Sequence, residues 1–321
     1  MLLAGDVGGT KTLLGLFERG SGRPVPVATH SYATTSFATF PDILDAFARD
    51  AGPFRIEAAA VGVAGPVVHE YARLTNVNWH VARDELAARV GGARVHLLND
   101  LEAIAYAVEV LSPDEILVLQ QGEPNTVGDA AVIAAGTGLG QAYLRRVNGR
   151  LTPAPSEGGH ADFAARTDRE MELVRMLRER VGRAEVEQVL SGPGLLNLHR
   201  FTHRGGQCQV VDDLSAADAP AAVSRAGLGG RCQGCAEALR MFVSAYGAEA
   251  GNLALRGLTL SGLYVGGGIA PKILSALSNG TFMEAFLAKA PLVDLLAKIP
   301  VKVILNAEAG LIGAAICAQE L

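Results

Sequence analysis

GDVGGTK, residues 5–11, stands between the apolar run 2–4 and a second apolar run, 13–17. Strand, glycine turn and strand make a hairpin pattern, and three glycines in it let bare backbone N–H groups come close to an anion. Gly5, Asp6, Val7, Gly8, Gly9 and Thr10 are therefore read as a phosphate cradle. A carboxylate among phosphates repels them unless a divalent cation intervenes, which makes Asp6 a Mg2+ contact, directly or through a water. The spacing matches neither a Walker A loop nor a dinucleotide fingerprint. An ordinary glycine-rich hairpin with Asp6 in its turn stays open on these residues alone.

The same unit recurs in the middle of the chain. An apolar run at 131–134 meets Gly136-Thr137-Gly138-Leu139-Gly140 and resumes at 142–144, so Gly136, Thr137 and Gly138 form a second phosphate turn and the architecture reads as duplicated. Buried-type strands at 58–63 and 95–98 alternate with helical stretches at 41–50, 83–88 and 101–110, which predicts an α/β sheet in the first half. The second half is richer in helix, with helical spacing at 167–181, 185–190 and 236–256. A strand at 262–265 then runs into Gly266-Gly267-Gly268, where Gly267 and Gly268 would suit a flat adenosine group at a strand end. The last strand, 301–305, and the helix from Gly310 are expected to return to the first domain. That division gives a smaller domain of residues 1–110 plus 301–321 and a larger one of 111–300.

Asn99 and Asp100 follow the strand 95–98, just before a helix carrying Glu102. The exposed end of a strand is a good address for a catalytic base, which points to Asp100. Either residue is also a standard helix cap, and that alternative stays open. Downstream, Glu157-Gly158-Gly159-His160 brings a carboxylate and an imidazole together, and Glu187 lies just before the break Gly192-Pro193-Gly194. With Asn99 and Asp100, these side chains can satisfy the alternating donor and acceptor hydroxyls of a carbohydrate.

Composition narrows the classes. With 321 residues, 49% hydrophobic and 38 glycines, the chain has ample material for one large domain or two. The net charge of −5 is spread along the chain, so no basic surface points to nucleic acid or anionic lipid. No basic segment precedes an apolar one at the start and no run is long enough for a membrane span, so the cytoplasm is the expected compartment. Cysteines at 208, 232, 235 and 317 are too few for a disulfide scaffold. Cys232 and Cys235 have C-x-x-C spacing with His199, His203 and Cys208 nearby in sequence, but are read as packing residues rather than zinc ligands.

Together these segments resemble the bacterial ATP-dependent glucokinase family, within the sugar kinase, Hsp70 and actin superfamily. The carriers are GDVGGTK at Gly5, LTNVNW at Leu74, LLND at Leu97, AAGTGLG at Ala134, SEGGH at Ser156, VLSGPGLLNL at Val189, GNLAL at Gly251 and GGGIAP at Gly266, over nearly the whole chain. The resemblance implies a two-domain ribonuclease H-like, actin-like ATPase fold with a cleft between domains. It implies ATP and Mg2+ on the glycine turns, and glucose held by Asn99, Asp100, Glu157, His160 and Glu187. Asp100 would take the proton from the sugar 6-hydroxyl as it attacks the γ-phosphorus. A homodimer is among the expected states, since such proteins are often dimeric. Lys11 is a departure: many close relatives carry Asn there, and Lys is more usual in the neighbouring family of repressors, open reading frames and kinases. The cysteine cluster that binds zinc in that family is not matched here. A kinase for fructose, mannose or an N-acylated amino sugar is the alternative, and a sugar-sensing protein on the same fold a more distant one.

Overall fold

A computed structural model describes the chain except positions 53, 75, 76, 78, 124, 205 and 207. Three of the six positions of the LTNVNW segment thus lie outside the described residues. The chain divides into two compact units, one of residues 1–115, 150–155 and 306–321 and the other of 116–149 and 156–305.

The first unit carries a five-stranded sheet in the order Val25–Ala33, Lys11–Glu18, Leu2–Val7, Ala58–Val63, Arg94–Asn99. Leu2–Val7 pairs antiparallel with Lys11–Glu18 and parallel with Ala58–Val63, which in turn runs parallel to Arg94–Asn99. Ala58–Val63 is buried at every position, as a parallel strand covered on both faces must be, and its sequence AAAVGV is accordingly apolar throughout. Alternation along Leu2–Val7 splits its side chains between two cores. Leu3 and Val7 join Ile43 and Phe47 of the helix Phe40–Ala51. Leu2 and Ala4 pack with Leu311, Ala314 and Ala315 of the helix Ala309–Glu320. Asp6 is next on that second face, so strand periodicity alone directs its carboxylate to the C-terminal helix.

That helix is rich in Ala and Gly because it must approach its neighbours closely. A Cβ on Gly313 would lie 1.7 Å from the carbonyl oxygen of Ala103, in the helix Asp100–Ala107. Gly313→Ala is expected to destabilise the protein by about 1–3 kcal/mol through overpacking against backbone, read as a lower urea midpoint at unchanged slope. A midpoint equal to that of the parent protein would show that the two helices separate at no cost.

The second unit repeats the motif of the first. Ala130–Ala135 pairs antiparallel with Leu139–Val147 and parallel with Gly262–Gly266. The strand Val301–Ile304, expected beside the first domain, instead runs parallel to Gly262–Gly266 and antiparallel to Ile116–Gln120. Val301 and Val303 fill the second unit's core with Leu263 and Val265, and the chain returns to the first unit only at residue 306. The helix Gln233–Gly257 crosses Thr281–Leu287 where Gly247 and Gly251 let the chains touch, a Cβ on Gly247 falling 2.0 Å from the Phe282 carbonyl. Residues 185–190, which have helical spacing, form only the short 3-10 turn Val186–Gln188.

Candidate active site

In the first unit the GDVGGTK turn closes with the Gly8 amide donating to the Lys11 carbonyl at 3.0 Å. The strand before it ends on Asp6 and Val7, paired with Leu13 and Thr12. A Cβ on Gly310 would come within 2.8 Å of Asp6 Oδ2, so the carboxylate sits against the first turn of the helix Ala309–Glu320. Burial, with the like charge of Asp100 adding to it and Lys11 opposing it, pushes the Asp6 carboxyl up to about 7. A buried carboxylate burdened by a neighbouring like charge is a hard oxygen donor short of positive charge, which fits Mg2+; the cation would offset both penalties.

Asn99, not Asp100, caps the helix Asp100–Ala107. Its Oδ1 accepts the Leu101 amide at 3.0 Å, Glu102 completes a capping box, and its Nδ2 donates to the Gly65 carbonyl at 3.1 Å. Asp100 is the first residue of the helix and its Oδ1 accepts the same Leu101 amide at 2.9 Å. The capping role that competed for Asp100 in the sequence thus falls mainly to its neighbour.

In the second unit three segments meet around the turn at 136–140. The Gly136 amide donates to the Gly138 carbonyl and the Gly192 amide to the Gly136 carbonyl, both at 2.8 Å. Glu187 Oε2 accepts the Leu139 amide at 2.8 Å and would be 2.5 Å from a Cβ on Gly138, so this carboxylate grips the turn. Gly159 seats the segment 156–161 on the same strand, since a Cβ there would be 2.1 Å from the Leu139 carbonyl. The Val186 amide donates to Ala161 at 2.9 Å, bringing Glu187 alongside Glu157 and His160. Glu157 and His160 are exposed. His160 Nδ1 lies 3.3 Å from Glu185 Oε2, and because a carboxylate only accepts, the proton of the neutral ring sits on Nδ1 and leaves Nε2 to receive a hydroxyl. Neither the hold of Glu187 on the turn nor that of Glu185 on the ring is visible in sequence.

The third glycine cluster crosses the end of Ala130–Ala135. Gly267 has φ +84° and leaves no space for a side chain, a Cβ falling 2.4 Å from the Ala135 carbonyl, whereas Gly268 faces open space. Buried Tyr246 joins the two strand ends: its hydroxyl accepts the Ala135 amide at 3.1 Å and lies 3.2 Å from the Ile133 carbonyl and 3.4 Å from that of Gly266. Tyr246 was not singled out from sequence, where a tyrosine inside an apolar helix reads as core.

A family model described as Glucokinase matches residues 3–321. The chain belongs to the glucokinase family. It is 38% identical to a glucokinase of Synechocystis sp., over 99% of this chain and 98% of that relative. Among solved structures, a glucokinase from an Antarctic psychrotroph is 29% identical with a TM-score of 0.88, covering 100% of this chain and 99% of that one. A glucokinase of the neighbouring family from Streptomyces griseus, solved with glucose and AMPPNP, shares the fold at a TM-score of 0.65 and 23% identity, covering 100% and 99%. The fold is therefore the two-domain actin-like fold of sugar kinases, and the chain is a sugar-phosphorylating transferase. Among the described residues, no helix is long and apolar enough to cross a membrane.

Proposed function

We propose that this glucokinase-family protein transfers the γ-phosphoryl group of ATP to the 6-hydroxyl of glucose, with Asp100 as the general base. The observation that carries the assignment is the division of labour at the start of the helix Asp100–Ala107. Asn99 does the capping, and Asp100 lies close enough to Asp6 for its charge to raise the Asp6 pKa. Phosphoryl transfer asks for positioning and charge stabilisation, because its transition state is loose. Gly5, Val7, Gly8, Gly9 and Thr10 supply backbone donors to phosphate, as do Gly136, Thr137 and Gly138, while Gly267 and Gly268 leave a bare backbone for adenosine. Asn99, Glu157, His160 and Glu187 hold sugar hydroxyls and so fix the 6-hydroxyl for attack. Asp100 orients that hydroxyl and accepts its proton as the bond to phosphorus forms. Mg2+, held by Asp6 through a water, would supply the positive charge that neutralises the phosphates.

The two units carry between them the acids, the amide and the imidazole that a hexose needs, the relatives named above are glucokinases, and the Streptomyces protein was solved with glucose and an ATP analogue. We place the enzyme in the cytoplasm as a soluble protein, with a homodimer as its proposed assembly and no nucleic acid or membrane partner. A panel of glucose, mannose, fructose and N-acetylglucosamine with ATP and Mg2+ should give the highest kcat/KM for glucose and no turnover in excess EDTA. A larger value for fructose or an amino sugar would move the protein to the alternative kinase reading, and turnover in EDTA would remove Mg2+ from it.

A further inference from the structure

Away from the sugar and phosphate residues, the second unit gathers three cysteines and two histidines from separate segments. Cys232 caps the helix Gln233–Gly257, its sulfur 3.5 Å from the Cys235 amide nitrogen. Cys208 Sγ is 3.8 Å from Cys232 Sγ and 3.8 Å from Cys235 Sγ. His203 Nε2 lies 3.2 Å from Cys232 Sγ, and its Nδ1 is 2.8 Å from the His199 carbonyl oxygen. A carbonyl can only accept, so Nδ1 carries the proton and Nε2 turns a lone pair to the sulfurs. His199 stacks on His203 with ring centroids 3.9 Å apart. Only 3% exposed, it has neither ring nitrogen hydrogen-bonded among the described residues. The ligand atoms of His199, His203, Cys208 and Cys235 all lie within 4.8 Å of one another.

Packing by itself does not account for this arrangement. A cysteine behaves as a small apolar residue, but a buried and a half-buried imidazole stacked beside the thiols do not, and a buried ring with both nitrogens unpartnered is costly. Nor do the thiols form a disulfide, since all four cysteines are free and the sulfurs are far beyond the roughly 2.05 Å of an S–S bond. Their spacing has another meaning. A tetrahedral zinc with Zn–S bonds of about 2.3 Å sets its sulfurs roughly 3.8 Å apart, the edge of that tetrahedron. Gly234, between Cys232 and Cys235, fits the same picture: a Cβ there would come within 2.6 Å of the His203 ring, so the imidazole reaches the sulfurs only across a glycine.

We propose that this cluster is a structural Zn2+ site, with the thiolates of Cys208, Cys232 and Cys235 and one imidazole of the His199–His203 pair as its four ligands. On binding, each thiol gives its proton to solvent and three Zn–S bonds and one Zn–N bond form, with no change of oxidation state. The negative charge so created lies at the N-terminus of a 25-residue helix, where the helix dipole favours it. Soft sulfur ligands select zinc over magnesium, and a closed set of four leaves no open position for chemistry. The ion ties the end of the helix Gly192–Thr202 to the start of Gln233–Gly257. Because the first of these helices begins where Gly192 donates to the Gly136 carbonyl, the staple braces the second phosphate turn from behind.

Elemental analysis of the native protein, purified without chelator, should find about one zinc per chain. Replacement by Co2+ should give the thiolate-to-cobalt absorption and visible bands of a tetrahedral site. Cys208→Ser, Cys232→Ser and the double variant His199→Ala/His203→Ala should each lose the metal, whereas Cys317→Ala, in the first unit, should keep it. Native protein without stoichiometric zinc and with its thiols freely titratable overturns the proposal before any variant is made. So does an intact mass two hydrogens short, which means a disulfide, or an unchanged cobalt spectrum in Cys232→Ser.

Discussion

Asp100→Asn should leave the melting temperature within a degree or so of the parent protein and lower kcat at least about a hundredfold. The two halves of that expectation rest on different atoms. Stability is preserved because the cap belongs to Asn99, through its bonds to the Leu101 amide and the Gly65 carbonyl. The amide oxygen of an Asn at 100 can also still accept the Leu101 amide as Asp100 Oδ1 does. Chemistry is lost because a neutral amide cannot take the proton of the 6-hydroxyl. Glucose affinity should fall far less than kcat, since the amide still hydrogen-bonds a hydroxyl, and this split separates a base from a mere binding group. A near-normal kcat removes Asp100 from the mechanism. Equal losses in kcat/KM and kcat, with affinity intact, would mean that its contribution is made in the transition state alone.

What the sequence disclosed and what it hid differ in range. Both glycine hairpins, the buried strand Ala58–Val63 and the helix Gln233–Gly257 are local patterns, readable from glycine placement and apolar period. Val301–Ile304 is equally apolar in either sheet, so periodicity announces a strand without naming its partner. The 185–190 segment has helical spacing, but the Val186 amide is drawn to the Ala161 carbonyl and the helix is not extended. Side chains that act across long separations were hidden for the same reason. Gly310 against Asp6 and Glu185 on His160 each join residues that no window holds together. Asp100 was legible as an address and ambiguous as a role, because cap and base use the same residue type at a strand end. The hydrogen bonds of Asn99 give the cap to that residue, and the role of Asp100 rests on the Asp100→Asn measurement.

Asp6→Asn should abolish turnover while making the ligand-free protein more stable above neutral pH. Asp6 titrates near 3.8 when free and about 7 in the folded chain, so the folded state prefers it protonated. The sign follows from linkage. Below about pH 4 the carboxyl is protonated folded or unfolded, and nothing is lost. As pH rises from there to about 7 the unfolded chain gives up its proton while the folded one retains it, so stability declines and then levels off. Three pKa units correspond to about 4 kcal/mol, an upper bound because water and side chains relax around a partly buried acid. Asn keeps the shape and carries no charge, so the variant should gain on the parent at pH 8 by about 1–3 kcal/mol, or a few degrees, and hardly at all at pH 3. Mg2+ with ATP should narrow or reverse that gap, because the cation rewards the charge that burial penalises. Turnover should fall more than about a hundredfold, since the phosphates lose the group that holds their counter-charge. On that outcome the strain at this position is maintained for function and relieved by the ligand. A ligand-free variant less stable than its parent at pH 8 would refute the sign, and one that turns glucose over at the parent rate would remove Asp6 from the metal site.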